Sequence, residues 1–301
     1  MSFITQFGLR AALSPVVFFI VASIAVLYIV SVGQYRTVWF SKSEPVSAGK
    51  KAAMLSGLAV YYLAQGGPLE LAGHLIFSAH MLLMALSYLV AVPLVLYGIP
   101  DWMYRAALRN DAVKSVFRRM TNPILTLLMF NILFSIYHMP VVHDYVMVHF
   151  TVHRLYYAIL FITSFMMWWN IINPLPEYER LSDVKKMGYV FANGALLTPS
   201  CALIIFASEP LYATYTDPQV WAVALGYCVP KGAEAILAQF SGPEAFALMP
   251  AIEDQQFGGI IMKFVQEIMY IAFLFYIFLR WYKRENPSNT VDPIDPAALI
   301  K

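Results

Sequence analysis

Charge is scarce in this chain: 13% of its 301 residues are Asp, Glu, Lys or Arg, against 60% hydrophobic. A water-soluble fold of this length needs more polar residues to cover its surface, so a soluble globule is excluded. Cysteine is nearly absent, with only Cys201 and Cys228. Neither has a neighbouring cysteine, which excludes a C-x-x-C redox pair or a thiolate metal motif. The two read as inert buried thiols or, both lying towards the same side of the membrane, as a disulfide. No H-E-x-x-H, G-x-S-x-G, Walker loop or G-x-G-x-x-G occurs, leaving hydrolysis and nucleotide-driven pumping without support and pointing away from an enzyme. There is no internal repeat and no low-complexity tract. A net charge of +2 carries no nucleic-acid footprint.

What the chain has is long apolar runs. Seven are centred in residues 14–34, 52–66, 70–98, 122–138, 150–172, 186–206 and 257–281. Most approach the ~20 residues that span a bilayer as helix. Sixteen of the 20 Lys and Arg lie on alternate connections, among them Arg36 to Lys51, Arg105 to Arg119, Arg180 to Lys186 and the C-terminal group from Arg280. By the positive-inside rule the N-terminus is outside and the C-terminus cytoplasmic. The first run is preceded by a single basic residue, Arg10, and followed by Tyr28, Tyr35 and Trp39 rather than small residues, so it reads as a retained helix. The expected fold is all-α, a polytopic transmembrane helix bundle of about seven spans in the cell membrane. Residues 1–286 form one domain, with an outer cap of short helices over 208–256 broken at its prolines and a loose tail over 287–301. The segment Pro100 to Asn122 mixes basic and apolar residues in the manner of an interfacial helix.

All six histidines fall on the expected outer side. In GHLIFSAHMLLM, a continuous helix would place His74, His80, Met81 and Met84 in one sector of its surface. The next helices end and begin with SIYHMPVVHDY and VHFTVHRLYY, gathering His138, His143, Asp144, His149 and His153 around one turn. His149 and His153 have the four-residue spacing by which two imidazoles reach one metal. Met81, Met84, Met139 and Met147 add thioethers, soft donors that favour copper over zinc. Interfacial histidines also serve as hydrogen-bonded anchors, and methionines as core filler. Ionisable groups within spans are costly and usually functional, however. At the last run, Asp254 and Gln255 stand at a helix N-terminus, with Met262 and Gln266 beyond. Asp254 reads equally as a cap or as a ligand. Lys263 and Glu267 are one turn apart and expected to pair, with a proton path as the alternative.

The motifs GHLIFSAHMLLM, VPLVLYGIPDW, YHMPVVHDY, MWWNIINPLPEYERLS, LLTPSCALIIF and EDQQFGGIIM, in this order and spacing, resemble the CtaG family of assembly factors for caa3-type cytochrome c oxidase. The resemblance covers nearly the whole chain. It implies a non-enzymatic membrane protein that helps form the copper centre of the oxidase catalytic subunit. It also implies that subunit as a partner and copper as the metal; the apolar runs add membrane lipid, and the sequence leaves the oligomeric state open, homo-oligomers included. The family's motif positions fall on His80, Met81, Met84, His138, Asp144, His153, Asp254, Gln255, Gln256 and Met262. Relatives often carry two further histidines where this chain has Ile76 and Tyr157, so either His74 or His149 stands in for them or the protein acts as a scaffold without holding metal. Two other readings stand beside this one: a b-type cytochrome ligating haem through His80 and His153, and a solute or copper permease.

Overall fold

The structure, a computed structural model, describes residues 3–229 and 232–286; the tail expected over 287–301 lies outside them, as does Lys231. Helices account for the described elements from end to end. The first, α1 (Phe3–Leu13) and α2 (Pro15–Val32), meet at Ser14, and α3 (Ala48–Gln65) packs beside α2. Short α4 (Pro68–Gly73) leads into α5 (Phe77–Gly98). The basic connection forms α6 (Asp101–Ala107) and α7 (Asp111–Met120), followed by α8 (Pro123–Tyr137), α9 (Pro140–Met147) and α10 (Phe150–Ile172). Then come α11 (Asp183–Ile205), α12 (Pro218–Gly226), α13 (Gly232–Gln239) and α14 (Ala251–Glu285).

Starts are written in the sequence. Asn122 accepts the N–H groups of Ile124 and Leu125, with Pro123 at the first position of α8; Asp217 does the same for Gln219 and Val220 ahead of α12. Five helical segments are long and apolar enough to cross a membrane: 7–32, α5, α10, α11 and α14. The pair α7 and α8, bent by 63° at Thr121 and Asn122, makes a sixth if taken as one span. The run at 52–66 is helical, as α3, but does not meet that test of length and apolarity.

The run 70–98 is not the continuous helix its composition suggests. The chain breaks at His74 to Ile76, where Ile76 is fully extended (φ −138°, ψ 138°), so the helical sector joining His74 to Met81 does not exist. Lower in α5 the turns widen to a π-helical stretch over Leu86–Ala91, just before Pro93. Proline has no N–H to offer the turn above it. The Tyr88 carbonyl is instead capped by Ser164 Oγ at 2.7 Å and Trp168 Nε1 at 3.0 Å from α10.

The two ends of the bundle differ in charge. One end holds the ion pairs Lys50–Asp101, Arg105–Glu177, Lys186–Glu179, and Arg280 and Arg284 on Asp183. The other end, where α5, α10 and α14 begin and α8 and α11 finish, gathers the histidines. The main apolar core runs between them and includes Phe77, Met81, Met84, Trp168 and Met262, all at most 1% exposed.

Candidate functional site

Five imidazoles converge at the end opposite the basic loops. His80 comes from the first turn of α5, His138 from the end of α8, His143 from α9, His153 from the first turn of α10, and His74 from the break before α5. Each is at most 5% exposed. His80 lies 5.1 Å from His143 and 6.3 Å from His138 between ring centroids, and His74 lies 5.7 Å from His153. The two groups meet through tyrosines: Tyr137 stacks on His80 at 5.7 Å, Tyr157 packs against His153 at 4.1 Å, and the two hydroxyls are 3.0 Å apart.

Buried polar atoms inside proteins are almost always hydrogen-bonded. Here the Nε2 atoms of His80, His138, His143 and His153 are all buried without a partner. Two of the rings have their tautomer set from behind. His138 Nδ1 lies 2.8 Å from the Phe134 carbonyl and His143 Nδ1 lies 3.4 Å from Asp144 Oδ1, so each Nδ1 donates and each Nε2 keeps a free lone pair. A carboxylate or carbonyl behind an imidazole is the arrangement that orients metal-bound histidine. Two imidazoles on one metal at ~2 Å have ring centroids roughly 5 Å apart at a tetrahedral angle and about 6 Å apart when opposed. The His80–His143 and His74–His153 spacings lie in that window. Among the described residues, no three His, Cys, Asp or Glu side chains come together as one metal site. The arrangement therefore offers pairs of nitrogen donors rather than a closed cage.

The segment between α11 and α12 is laid over these rings as a strap. Asp144 accepts hydrogen bonds from Ala213 N, Thr214 N and Thr214 Oγ1 at 2.9, 3.1 and 2.7 Å. Gln255 Oε1 accepts from Leu211 N at 2.7 Å, and Gln256 Nε2 donates to the Ala207 carbonyl. The strap then sends Tyr212 to the His138 carbonyl and Tyr215 to the Gly73 carbonyl, and packs both rings on His143. Burial pushes the Asp144 carboxyl up, but the bonds from His143 and Thr214 outweigh it and hold it below the usual range. Burial pushes His143 below its ordinary value, against the pull of Asp144.

Asp254 is a cap, yet not of its own helix: its carboxylate accepts Phe77 N at 2.7 Å and Ser78 N at 3.3 Å, closing the N-terminus of α5. Met81, Met84 and Met262 are buried in the apolar core. Met147 is tied to the imidazole cluster through Tyr137, whose hydroxyl donates to its sulfur at 3.7 Å. His149 stands apart, exposed at the cap of α10, stacked on Tyr145 and bonded to its carbonyl. His143 fills the place beside His80, and its position directly before Asp144 was the signal for it. The walls made by Tyr137, Tyr157, Tyr212 and Tyr215 had no such signal, because tyrosine is common throughout the chain. Cys201 and Cys228 are free, and Cys228 Sγ lies 4.0 Å from His74 Nδ1. Lys263 pairs with Glu267 at 2.7 Å and donates to Thr198 Oγ1 at 2.9 Å.

Compared with known protein families, residues 26–284 match the family described as cytochrome c oxidase caa3 assembly factor (Caa3_CtaG). No curated protein and no solved structure matches the chain.

Proposed function

Since this chain belongs to the family of cytochrome c oxidase caa3 assembly factors, we propose that its part in assembling that oxidase is to carry copper to the catalytic subunit. The cargo is Cu(I), held at the outer face of the cell membrane by pairs of buried imidazoles and passed on by direct contact within the membrane. The observation that supports this reading is the set of four buried Nε2 atoms without partners. Uncharged lone pairs of this kind, two of them preoriented from behind, suit copper, and equally other imidazole-loving metals. The soft donor that tilts the balance is Met147, adjacent through Tyr137.

The chain's own residues divide the work. His80 and His143 supply one donor pair, and His153, beside His74, a further unpartnered nitrogen. Asp144 orients the His143 ring and the Phe134 carbonyl that of His138 alongside, and the strap from Leu211 to Thr214 covers them. Two-coordinate pairs bind weakly enough for transfer, where a closed four-ligand site would hold its ion as structure.

The test is copper content and visible spectrum of the detergent-purified protein, with and without added Cu(I), for wild type and a His80→Ala, His153→Ala double variant. Stoichiometric copper lost in the double variant, together with copper-poor oxidase in cells carrying it, is the expected result. Wild-type oxidase copper in those cells would sink the proposal, and a haem absorption band would favour a cytochrome instead.

A further inference from the structure

The basic end carries a second feature, unconnected to the histidines. Helix α7 has Val113 and Val116 exposed on one side and Lys114, Arg118 and Arg119 on its polar face, and it meets α8 at 63°. With α8 crossing the bilayer, α7 lies nearer its plane, as an interfacial helix does. Where the two helices turn, Ser115, Arg118, Arg119, Asn122, Leu125 and Arg180 line an open cleft of about 520 Å³.

Three guanidiniums share this cleft with no carboxylate. The acids that flank Arg180 in sequence are committed elsewhere: Glu177 to Arg105, Glu179 to Lys186, and Asp183 to Arg280 and Arg284. Arg180 is held close to Arg118 by donating to its backbone carbonyl. Burial, and then the charge of Arg118, hold the Arg180 pKa below its usual value. Like charges drawn together by a backbone contact are relieved by an anion. Guanidinium forks match the geometry of a phosphate.

A second observation lies directly below. Asn122, Leu125, Thr126 and Met129 fall within a sector of roughly 100° on α8, and below the cleft on this face opens an apolar slot of about 240 Å³ between α8 and α10. Met129, Ile159, Ile162 and Met166 form its walls, and Ile159 to Met166 covers roughly 10 Å of helix axis. Its two hydroxyls, on Thr126 and Thr163, are already bonded to backbone carbonyls.

We propose that the arginine cleft and this slot together bind one anionic phospholipid, its phosphodiester on Arg118, Arg119 and Arg180 and part of an acyl chain between α8 and α10. A soluble phosphate would use the cleft alone; the slot assigns the ligand to lipid.

Native mass spectrometry of the full chain in zwitterionic detergent tests this, with phosphatidylglycerol, phosphatidylcholine and inorganic phosphate as probes. Phosphatidylglycerol should be retained over phosphatidylcholine. Each arginine near a membrane surface is worth roughly a fivefold change, so the Arg118→Gln, Arg119→Gln double variant should lose about 25-fold in affinity while leaving Arg180 on its backbone contact. A control removing Lys42 and Lys283 should change little. Met129→Trp, which fills the slot, should weaken phosphatidylglycerol and leave any inorganic phosphate binding as it was. Equal retention of the two lipids, undiminished binding in the arginine variant, or phosphate bound as tightly as lipid would each overturn the proposal.

Discussion

Asp254 and Phe77 are 177 residues apart in sequence, and the carboxylate of one accepts the backbone N–H of the other at 2.7 Å. The contact joins the start of α14 to the start of α5, at the depth of the histidines. It exists because α5 begins inside the bundle, where its first amides have no water to turn to. Asp254→Ala should therefore destabilise the protein by roughly 1–3 kcal/mol, read as a lower thermal midpoint in detergent. Asp254→Asn, which keeps an acceptor, should lose less. An unchanged midpoint for the alanine variant would show that the amides find another partner.

The same two helices touch without side chains at Gly258. A Cβ there would meet Phe77 Cδ1 at 2.9 Å, Met81 Cγ at 3.0 Å and the Ser78 backbone at 3.1 Å. Gly258→Ala should cost about 1–3 kcal/mol through overpacking. Gly188→Ala, on α11 with nothing within 4 Å of the new atom, should be neutral or stabilise by up to about 1 kcal/mol from helix propensity. Equal midpoints for the two variants would contradict this packing.

His143 and His149 separate the buried cluster from the exposed cap. If paired imidazoles hold copper, His143→Ala should lower copper affinity by at least about tenfold, the loss typical even of groups that only support a metal ligand. His149→Ala should leave it unchanged. Copper titration of the purified variants decides between them, and a His149 effect equal to that of His143 would place the site at the surface.

Acid should weaken the strap in two stages. His143 lies below its ordinary value of 6.5, so the unfolded chain binds its proton first and stability falls as pH drops below that value. Asp144 also lies below its ordinary 3.8; its contribution is fully present above that value and is lost as pH falls further. The metal-free protein should lose thermal stability from about pH 6.5 downward. A His143→Asn variant should show a smaller upper stage, because the neighbouring buried imidazoles remain, and should keep a lower stage through the bonds from Thr214 to Asp144. Midpoints recorded across pH 3–8 that coincide for both proteins would refute the assignment.

The helical class, the apolar runs and the polarity of the two ends were legible because bilayer physics leaves large signals: long hydrophobic stretches and basic residues on alternate connections. His80, His138 and His153 were legible by type and by place in the family motifs. The break at His74 to Ile76 was not, since no glycine or proline lies within those three residues, and Gly73 alone reads as an ordinary small residue in a membrane helix. Treating 70–98 as one helix put His74 and Met81 on one face, a relationship that the break removes. In the fold Met81, the residue after His80, lies against Gly258. Asp254 illustrates the same limit: its position predicted a cap for α14, whereas the helix it closes begins 177 residues earlier, a pairing that local spacing does not encode.

The strap has a kinetic consequence. With every imidazole of the cluster at most 5% exposed, an arriving ion or acceptor meets tyrosine rings and backbone before it meets nitrogen. If the cluster holds copper, exchange there waits on the strap lifting, so its rate should level off at an opening rate as the incoming partner is made more concentrated. Four of the bonds that set this rate end on Asp144 and Gln255. A docking surface that competed for those two side chains would speed both loading and release without touching a ligand.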